Sequence, residues 1–168
     1  MNNIEYRTPL NSDEFEKYDL FRWQILRKPI GKSIDSLKDE YENSSYHLIG
    51  VSDNEVIACG RLHFNTDSEA QIRYMAVNNN LQGMGIGKEI IEHLEKYAFE
   101  QNAKKIILNA RDHVIKFYEK SGYQVVRKFD GSDTNIPHTT MMKNSDYLLC
   151  SKKSLSSFEL SSSNNPNL

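Results

Sequence analysis

Cysteine is almost missing from this chain. Cys59 and Cys150 are the only two, and they lie too far apart for a Cys-x-x-Cys redox pair or a thiolate metal site. A disulfide-stapled scaffold is thereby excluded, and a reducing cytoplasm is the expected compartment. An excess of either charge is missing too. The formal charge is −2 and the pI near 6.2, so the chain has neither a basic stripe for nucleic acid nor a polybasic patch for a membrane. No apolar run approaches spanning length. Residues 1–5 show no basic segment leading into an apolar one, which argues against a secretory leader. What remains is an ordinary globular balance, 38% hydrophobic and 26% charged over 168 residues, enough for one domain with one sizeable core.

Periodicity gives the element order β-α-β-β-β-α-β-α-β-β. Residues 4–7 read as a short strand. Asn11 and Glu14 have capping-box spacing ahead of a helix whose stripe is Phe15, Tyr18, Arg22 and Ile25, ended by Pro29 and Gly31. Residues 33–43 are charged and hold at most a short helix. Strands over 46–51, 56–64 and 71–77, with tight turns at 53–54 and 65–68, form an antiparallel meander. Val56, Ala58, Gly60, Leu62 and Phe64 alternate onto one of its faces. A helix over 86–101 buries Ile90, Leu94, Tyr97 and Ala98 and sets Glu92 beside Lys96 for an exposed pair. Residues 105–110 read as a buried strand, Asp112 as the cap of a short helix that Gly122 ends, and 123–129 with 139–143 as a closing strand pair. The expected fold class is α/β: a mixed, mostly antiparallel sheet with helices on both faces. It spans residues 1–146. Residues 147–168, rich in serine and asparagine, are expected to be a disordered tail, with docking of Leu155, Phe158 and Leu160 as the alternative.

The most informative segment is Gln82-Gly83-Met84-Gly85-Ile86-Gly87, set between a strand and a strongly helical run. Glycines there let bare backbone approach a ligand, and a helix start supplies unpaired N–H groups and partial positive charge suited to phosphate. The plainer reading is a tight turn. A P-loop is excluded, because Gln82 stands where its first glycine belongs and Glu89 replaces the hydroxyl that would hold Mg²⁺. A dinucleotide fingerprint is excluded as well: the sixth position from Gly83 is Lys88, and the preceding strands form a meander rather than a βαβ crossover.

The surviving pattern, [QR]-x-x-G-x-[GA], is met by Gln82, Gly85 and Gly87. With it the chain resembles the GNAT superfamily of acyl-CoA-dependent N-acyltransferases. Phe117-Tyr118-Glu119-Lys120-Ser121-Gly122-Tyr123 is similar to that family's F-Y-x-x-x-G-[FY] run, and it follows at the family's spacing of one helix plus one strand. The likeness covers about residues 4–145. His113, five residues before Tyr118, and Ile136-Pro137-His138 followed by Met141 resemble the ElaA-like branch. Leu26-Arg27-Lys28-Pro29 sits where that branch carries a substrate-side helix.

The resemblance implies acetyl-CoA as co-substrate, no metal, and a primary amine of a small molecule or peptide as acceptor. The diphosphate would lie on backbone from Gln82, Gly83, Met84, Gly85, Ile86, Gly87 and Lys88. The pantetheine arm would lie beside Met75, Ala76 and Val77, with Asn109 as a further contact or as a strand-end cap. An N–H near Ala76 or Val77 would polarise the thioester carbonyl. Tyr118 matches the family's proton donor for the leaving thiolate, or else it is a core aromatic. Cys59 needs no catalytic part, and reads as core. The glutamate that several relatives use as base falls at Gln71, which cannot serve; Glu69 sits at the strand edge, and His113, His138 or a water chain remain. Arg73, on the face opposite Ile72 and Tyr74, lines the acceptor cleft or is a solvated residue. The acidic residues Asp35, Asp39, Glu40 and Glu42 attract a cationic acceptor or form a wet helix. A non-catalytic acyl-CoA-binding sensor or interaction module is the alternative function. A homodimer through a terminal strand, as in many relatives, is left open.

Overall fold

The computed structural model describes residues 3–130 and 134–145. The tail at 147–168, with Cys150, Leu155, Phe158 and Leu160, lies outside the described residues. In chain order the elements are β1 (Glu5–Arg7), α1 (Ser12–Leu26), β2 (Tyr46–Ser52), β3 (Glu55–Thr66), β4 (Glu69–Val77), α2 (Ile86–Glu100), β5 (Lys105–Arg111), α3 (Ile115–Lys120), β6 (Gln124–Phe129) and β7 (His138–Asn144). The strands form one sheet in the order β1-β2-β3-β4-β5-β7-β6. Every neighbouring pair is antiparallel except β4 and β5. This is the mixed, mostly antiparallel sheet the periodicity implies.

Local chemistry sets the boundaries. The Asn11 side chain accepts from the Glu14 N–H at 3.0 Å, and the Glu14 carboxylate accepts from the Leu10 N–H at 2.7 Å, so α1 starts as a capping box. It stops at Leu26, ahead of Pro29 and of Gly31, whose φ is +71°. Residues 33–43 form no α-helix; they hold 3₁₀ turns at Ile34–Leu37 and Glu42–Ser44. Asp112 does not cap α3. Its carboxylate accepts from the Thr139 hydroxyl at 2.7 Å and pairs with Lys128, while Val114 leads into the helix without a side-chain bond.

The core has two layers, one on each side of the sheet. α2 and α3 bury Ile86, Ile90, Leu94, Ala98 and Tyr118 against Leu62, Ile72, Ile106 and Leu108. α1 covers the other face with Tyr18 and Phe21 on Ile49, Cys59 and Ala76. Phe15 of the expected α1 stripe is exposed, and Phe21 takes its place inside. The register shift beside Val51 puts Val56 into the α1 layer, away from the Ala58 and Leu62 face. On the wet side of α2, the ion pairs are Lys88–Glu92 and Lys96–Glu100 instead of Glu92 with Lys96.

α2 lies close on β3 because position 60 has no side chain. A Cβ on Gly60 would meet Leu94 Cδ1 at 2.7 Å and Ile90 Cγ2 at 3.1 Å. Gly60→Ala is expected to cost about 1–3 kcal/mol through overpacking. Chemical denaturation would measure the loss, and an unchanged midpoint would show that the helix shifts freely.

Candidate active site

The parallel pair β4–β5 is the weak seam of the sheet. Its pairing runs from Glu69 with Lys105 to Ile72 with Leu108 and goes no further. Past that point Arg73–Val77 and 109–111 diverge and leave a wedge-shaped gap. The cause lies in β4. Two residues, Tyr74 and Met75, oppose the single Gly60 of β3, and Tyr74 has φ +53°, a left-handed conformation that a tyrosine rarely adopts. Bulges bend the strand that carries them, and pairing with β5 stops two residues before Tyr74.

The bulge also resets which residues share a face. Ile72 and Met75 lie in the α2 layer, and Ala76 in the α1 layer. Tyr74 lies against Arg22, Arg61 and Arg73, so it shares Arg73's face and not Ile72's. Strict alternation assigns it to the wrong side. The Asn78 N–H donates to the Ile57 carbonyl at 2.8 Å, and the next register position sets Val77 opposite Ala58. Alternation of amide direction then leaves the Val77 N–H on the edge that faces the gap.

The glycine loop follows β4 at the open end of this gap, where Gly87 lies against Val77. Gly83 has φ +81° and Gly85 φ +87°, and a Cβ at either would meet nothing within 4 Å. Both glycines therefore answer a backbone requirement and leave open space in front of the loop. Gly87 is different: a Cβ there would touch Phe117 Cζ at 3.2 Å and Val77 Cγ2 at 3.6 Å, so α2, α3 and β4 meet at that position. Helix α2 starts at Ile86 behind Gly85 with no side-chain cap. The Lys88 and Glu89 N–H groups donate to the Gly85 carbonyl at 2.9 and 3.1 Å, which leaves the Ile86 and Gly87 amides to meet an anion. Ile86 anchors the turn in the core, Met84 is half exposed, Gln82 donates to the Asn79 side chain at 3.1 Å, and Lys88 pairs with Glu92 on the surface.

Tyr118 comes to the gap from α3. Its hydroxyl donates to the Met75 sulfur at 3.8 Å, and its ring packs edge-on to Phe117 and Tyr123. Burial pushes its phenol up to about 12, and the Arg111 guanidinium offsets part of that shift. Cys59, fully buried, has its thiol pushed up to about 12 by the same desolvation, so it is no nucleophile. Asn109 accepts from the Thr140 hydroxyl at 2.8 Å, which ties its carbonyl oxygen to β7.

The two histidines lie near the C-terminal end of β5, His113 in the turn that follows it and His138 at the start of β7. His138 is in register with Arg111 across β5 and β7. Its Nδ1 lies 2.6 Å from the Ile136 carbonyl, to which it donates. His113 is exposed in the 3₁₀ turn after β5. On β4, the Gln71 side chain accepts from Asn65 at 3.1 Å, and Glu69 pairs with Lys105 at 2.7 Å, which draws its carboxyl below the usual range.

Two of the four acidic residues, Asp39 and Glu42, are committed to arginines, while Asp35 and Glu40 are exposed. Asp39 holds Arg61 at 2.7 Å and Arg73 at 3.0 Å, while Glu42 holds Arg61 at 2.6 Å and also pairs with Arg22. Burial raises both carboxyls, and the guanidinium groups outweigh it, so both end below their ordinary values. Sequence reasoning missed this network, because it gave Arg61 no part and its carboxylate partners lie far from it in the chain. It also gave no part to Arg111, whose side chain reaches back to donate to the Leu26 carbonyl of α1 at 3.2 Å. Among the described residues no group of histidine, cysteine and carboxylate side chains is placed to hold a metal ion, and no helix is long and apolar enough to cross a membrane.

The sequence and the fold also match those of known proteins. Residues 3–123 match the family model described as the acetyltransferase (GNAT) family. The uncharacterized N-acetyltransferase YjcF of Bacillus subtilis is 33% identical over 133 residues, which are 79% of this chain and 94% of that protein. Glucosamine 6-phosphate N-acetyltransferase 1 of Dictyostelium discoideum is 29% identical over 136 residues, 72% of this chain and 85% of that one. Among solved structures, an aminoglycoside 6'-N-acetyltransferase complexed with coenzyme A superposes with a TM-score of 0.69 at 15% identity, over 84% of this chain and 96% of that one. Escherichia coli ElaA superposes with a TM-score of 0.65 at 16% identity, over 86% and 100%. The two structural likenesses are ones of fold.

Proposed function

The chain belongs to the acetyltransferase (GNAT) family, and from that premise we propose that it transfers an acetyl group from acetyl-CoA to a primary amine of a small molecule or peptide. The observation that carries this reading is the pairing of an uncapped helix start behind Gly85 with a gap beside β4 into which Tyr118 reaches. Acetyl-CoA supplies the activated acyl carbon. The residues of this chain supply the rest. Backbone of 82–88 suits the diphosphate, and the open edge from Met75 to Val77 suits the amide-rich arm. The Val77 N–H is the donor for the carbonyl oxygen as negative charge gathers on it.

In this reading an amine nitrogen forms a bond to the acyl carbon, the carbon–sulfur bond breaks, and no acyl-enzyme forms. Tyr118 gives its proton to the departing sulfur. The amine proton goes to a base, and that part is assigned to His138, whose ring is held by the Ile136 carbonyl, with His113 or a water chain as the alternative. The catalytic unit is assigned to residues 1–146, in the reducing cytoplasm that the buried Cys59 thiol suits.

Absence of a carboxylate at Gln71 favours the second reading, a non-catalytic acyl-CoA sensor. Calorimetry with acetyl-CoA, followed by a thiol-release screen over amines, amino acids, amino sugars and short peptides, separates the two. Binding with release in at least one arm is the expected result. Binding with no release in any arm would favour the sensor, and absence of binding would remove both.

A further inference from the structure

The helix that carries Tyr118 is short and weakly started. α3 has six residues, and Val114 leads into it with no side-chain bond. A helix of that length does not hold itself in place, so its position comes from tertiary contacts. Its C-terminal end has one. The Lys143 ammonium of β7 donates to the Ser121 carbonyl at 2.9 Å, and it pairs with Glu95 of α2 at 2.7 Å. Lys143 also lies 5.7 Å from the centre of the Tyr123 ring, which packs edge-on to Tyr118 at 5.9 Å. The Ser121 and Tyr123 N–H groups in turn donate to the Tyr118 carbonyl at 2.9 and 3.1 Å. One buried ammonium thus ties β7 and α2 to the turn that closes on Tyr118.

Stability alone does not explain the pair. Lys143 is 8% exposed and Glu95 6%. Burial outweighs Lys143 and raises the Glu95 carboxyl above its ordinary value, the mark of a place that disfavours charge. Apolar side chains of similar volume would join α2 to β7 at least as well. They would give the Ser121 carbonyl no donor. A cation at the carbonyl end of a helix suits its dipole, and Glu95 offsets the charge that this donor brings inside.

We propose that Lys143, paired with Glu95, is a positioning residue for Tyr118: by holding the Ser121 carbonyl it fixes the tilt of α3 and so the place of the Tyr118 hydroxyl beside Met75. The proposal rests on the transfer reading, in which that hydroxyl protonates the departing sulfur. A misplacement of about 1 Å at the reacting atoms can cost about 100-fold in rate, so a distant tether can matter to chemistry.

The test uses the full chain. Lys143→Met removes the donor, and Lys143→Met with Glu95→Leu removes it while replacing the ion pair by apolar side chains. The double variant is expected to unfold in urea at or above the midpoint of the unmodified protein. Hydrogen exchange of the Ser121 and Tyr123 amides is nonetheless expected to speed up about tenfold, with the amides of β5 unchanged. Hydroxylamine is the acceptor for thiol release from acetyl-CoA, being small and uncharged near neutral pH. With it kcat is expected to fall about tenfold in both variants, while the calorimetric affinity for acetyl-CoA stays within about twofold. In a Tyr118→Phe background the same changes are expected to lower kcat no further, since the hydroxyl they place is gone. Recovery of kcat in the double variant, an equal loss in the Tyr118→Phe background, or unchanged exchange at Ser121 and Tyr123 would overturn the proposal. Faster exchange at those amides, with no thiol release by the unmodified protein, would sink the transfer reading and leave the tether standing; release that neither variant alters would do the reverse.

Discussion

Replacing Tyr118 by phenylalanine is expected to lower kcat about 100-fold while leaving the calorimetric affinity for acetyl-CoA within about twofold. The substitution removes one oxygen. The ring stays packed between Phe117 and Tyr123, so the wall of the gap survives. Only the hydroxyl that donates to the Met75 sulfur disappears, and a thioether is a weak partner, easily exchanged for a departing thiolate. The pH dependence has a definite sign. Burial holds the phenol at about 12, so Tyr118 keeps its proton throughout the working range and no alkaline loss of kcat below about pH 10 belongs to it. An alkaline limb well below that value must belong to another group, and an acid limb near neutrality to the base that takes the amine proton. Equal kcat for the two proteins in single-turnover assays would remove Tyr118 from the donor role and return it to the core.

How legible this site is in the sequence depends on how local each cause is. The glycine loop is legible because its requirement is written in consecutive residues: positive φ at Gly83 and Gly85, then a helix without a cap. The run from Phe117 to Tyr123 is legible for the same reason, and Gly122 duly carries φ +88°. The meander, the α2 stripe and the closing strands follow from period and turn residues. What period alone loses is the bulge. One extra residue opposite Gly60 moves Tyr74 to the other face, and no pattern of apolar residues marks it, since a tyrosine suits either side. The charges are lost for a different reason. Asp39 and Glu42 look like a wet helix because their partners, Arg22, Arg61 and Arg73, are distant in sequence and meet them only after the sheet forms. The base is obscure for the simplest reason: Gln71 breaks the pattern, and a lone histidine carries little information until register sets His138 beside Arg111.

The buried charge network is where fold and site depend most on one side chain. Arg61 is fully buried, spans Asp39 and Glu42, and lies 4.8 Å from the centre of the Tyr74 ring that marks the bulge. Arg61→Met keeps the volume and removes the charge, so two carboxylates lose their closest shared counter-ion in a poorly solvated place. Breaking such a cluster from one side costs about 3–5 kcal/mol. The dependence on pH tests the cause. In the native protein the Asp39 and Glu42 carboxyls lie below their ordinary values of 3.8 and 4.5, so the stability they contribute is present above those values and fades as pH falls through the depressed ones. Without Arg61 the carboxyls rise and take up protons more readily. The gap between the two proteins in urea denaturation is therefore expected to be widest near pH 7 and to narrow below about pH 4. Arg61→Lys should recover only part of the loss, since an ammonium cannot bridge both carboxylates as the planar fork does. A gap that stayed constant from pH 7 to pH 4 would mean that packing around Arg61, and not its charge, supports β3 and the bulge. If charge is the cause, Arg61→Met should also loosen Tyr74 and with it the geometry of the β4 edge, so the surviving folded protein is expected to bind acetyl-CoA more weakly as well as to melt earlier.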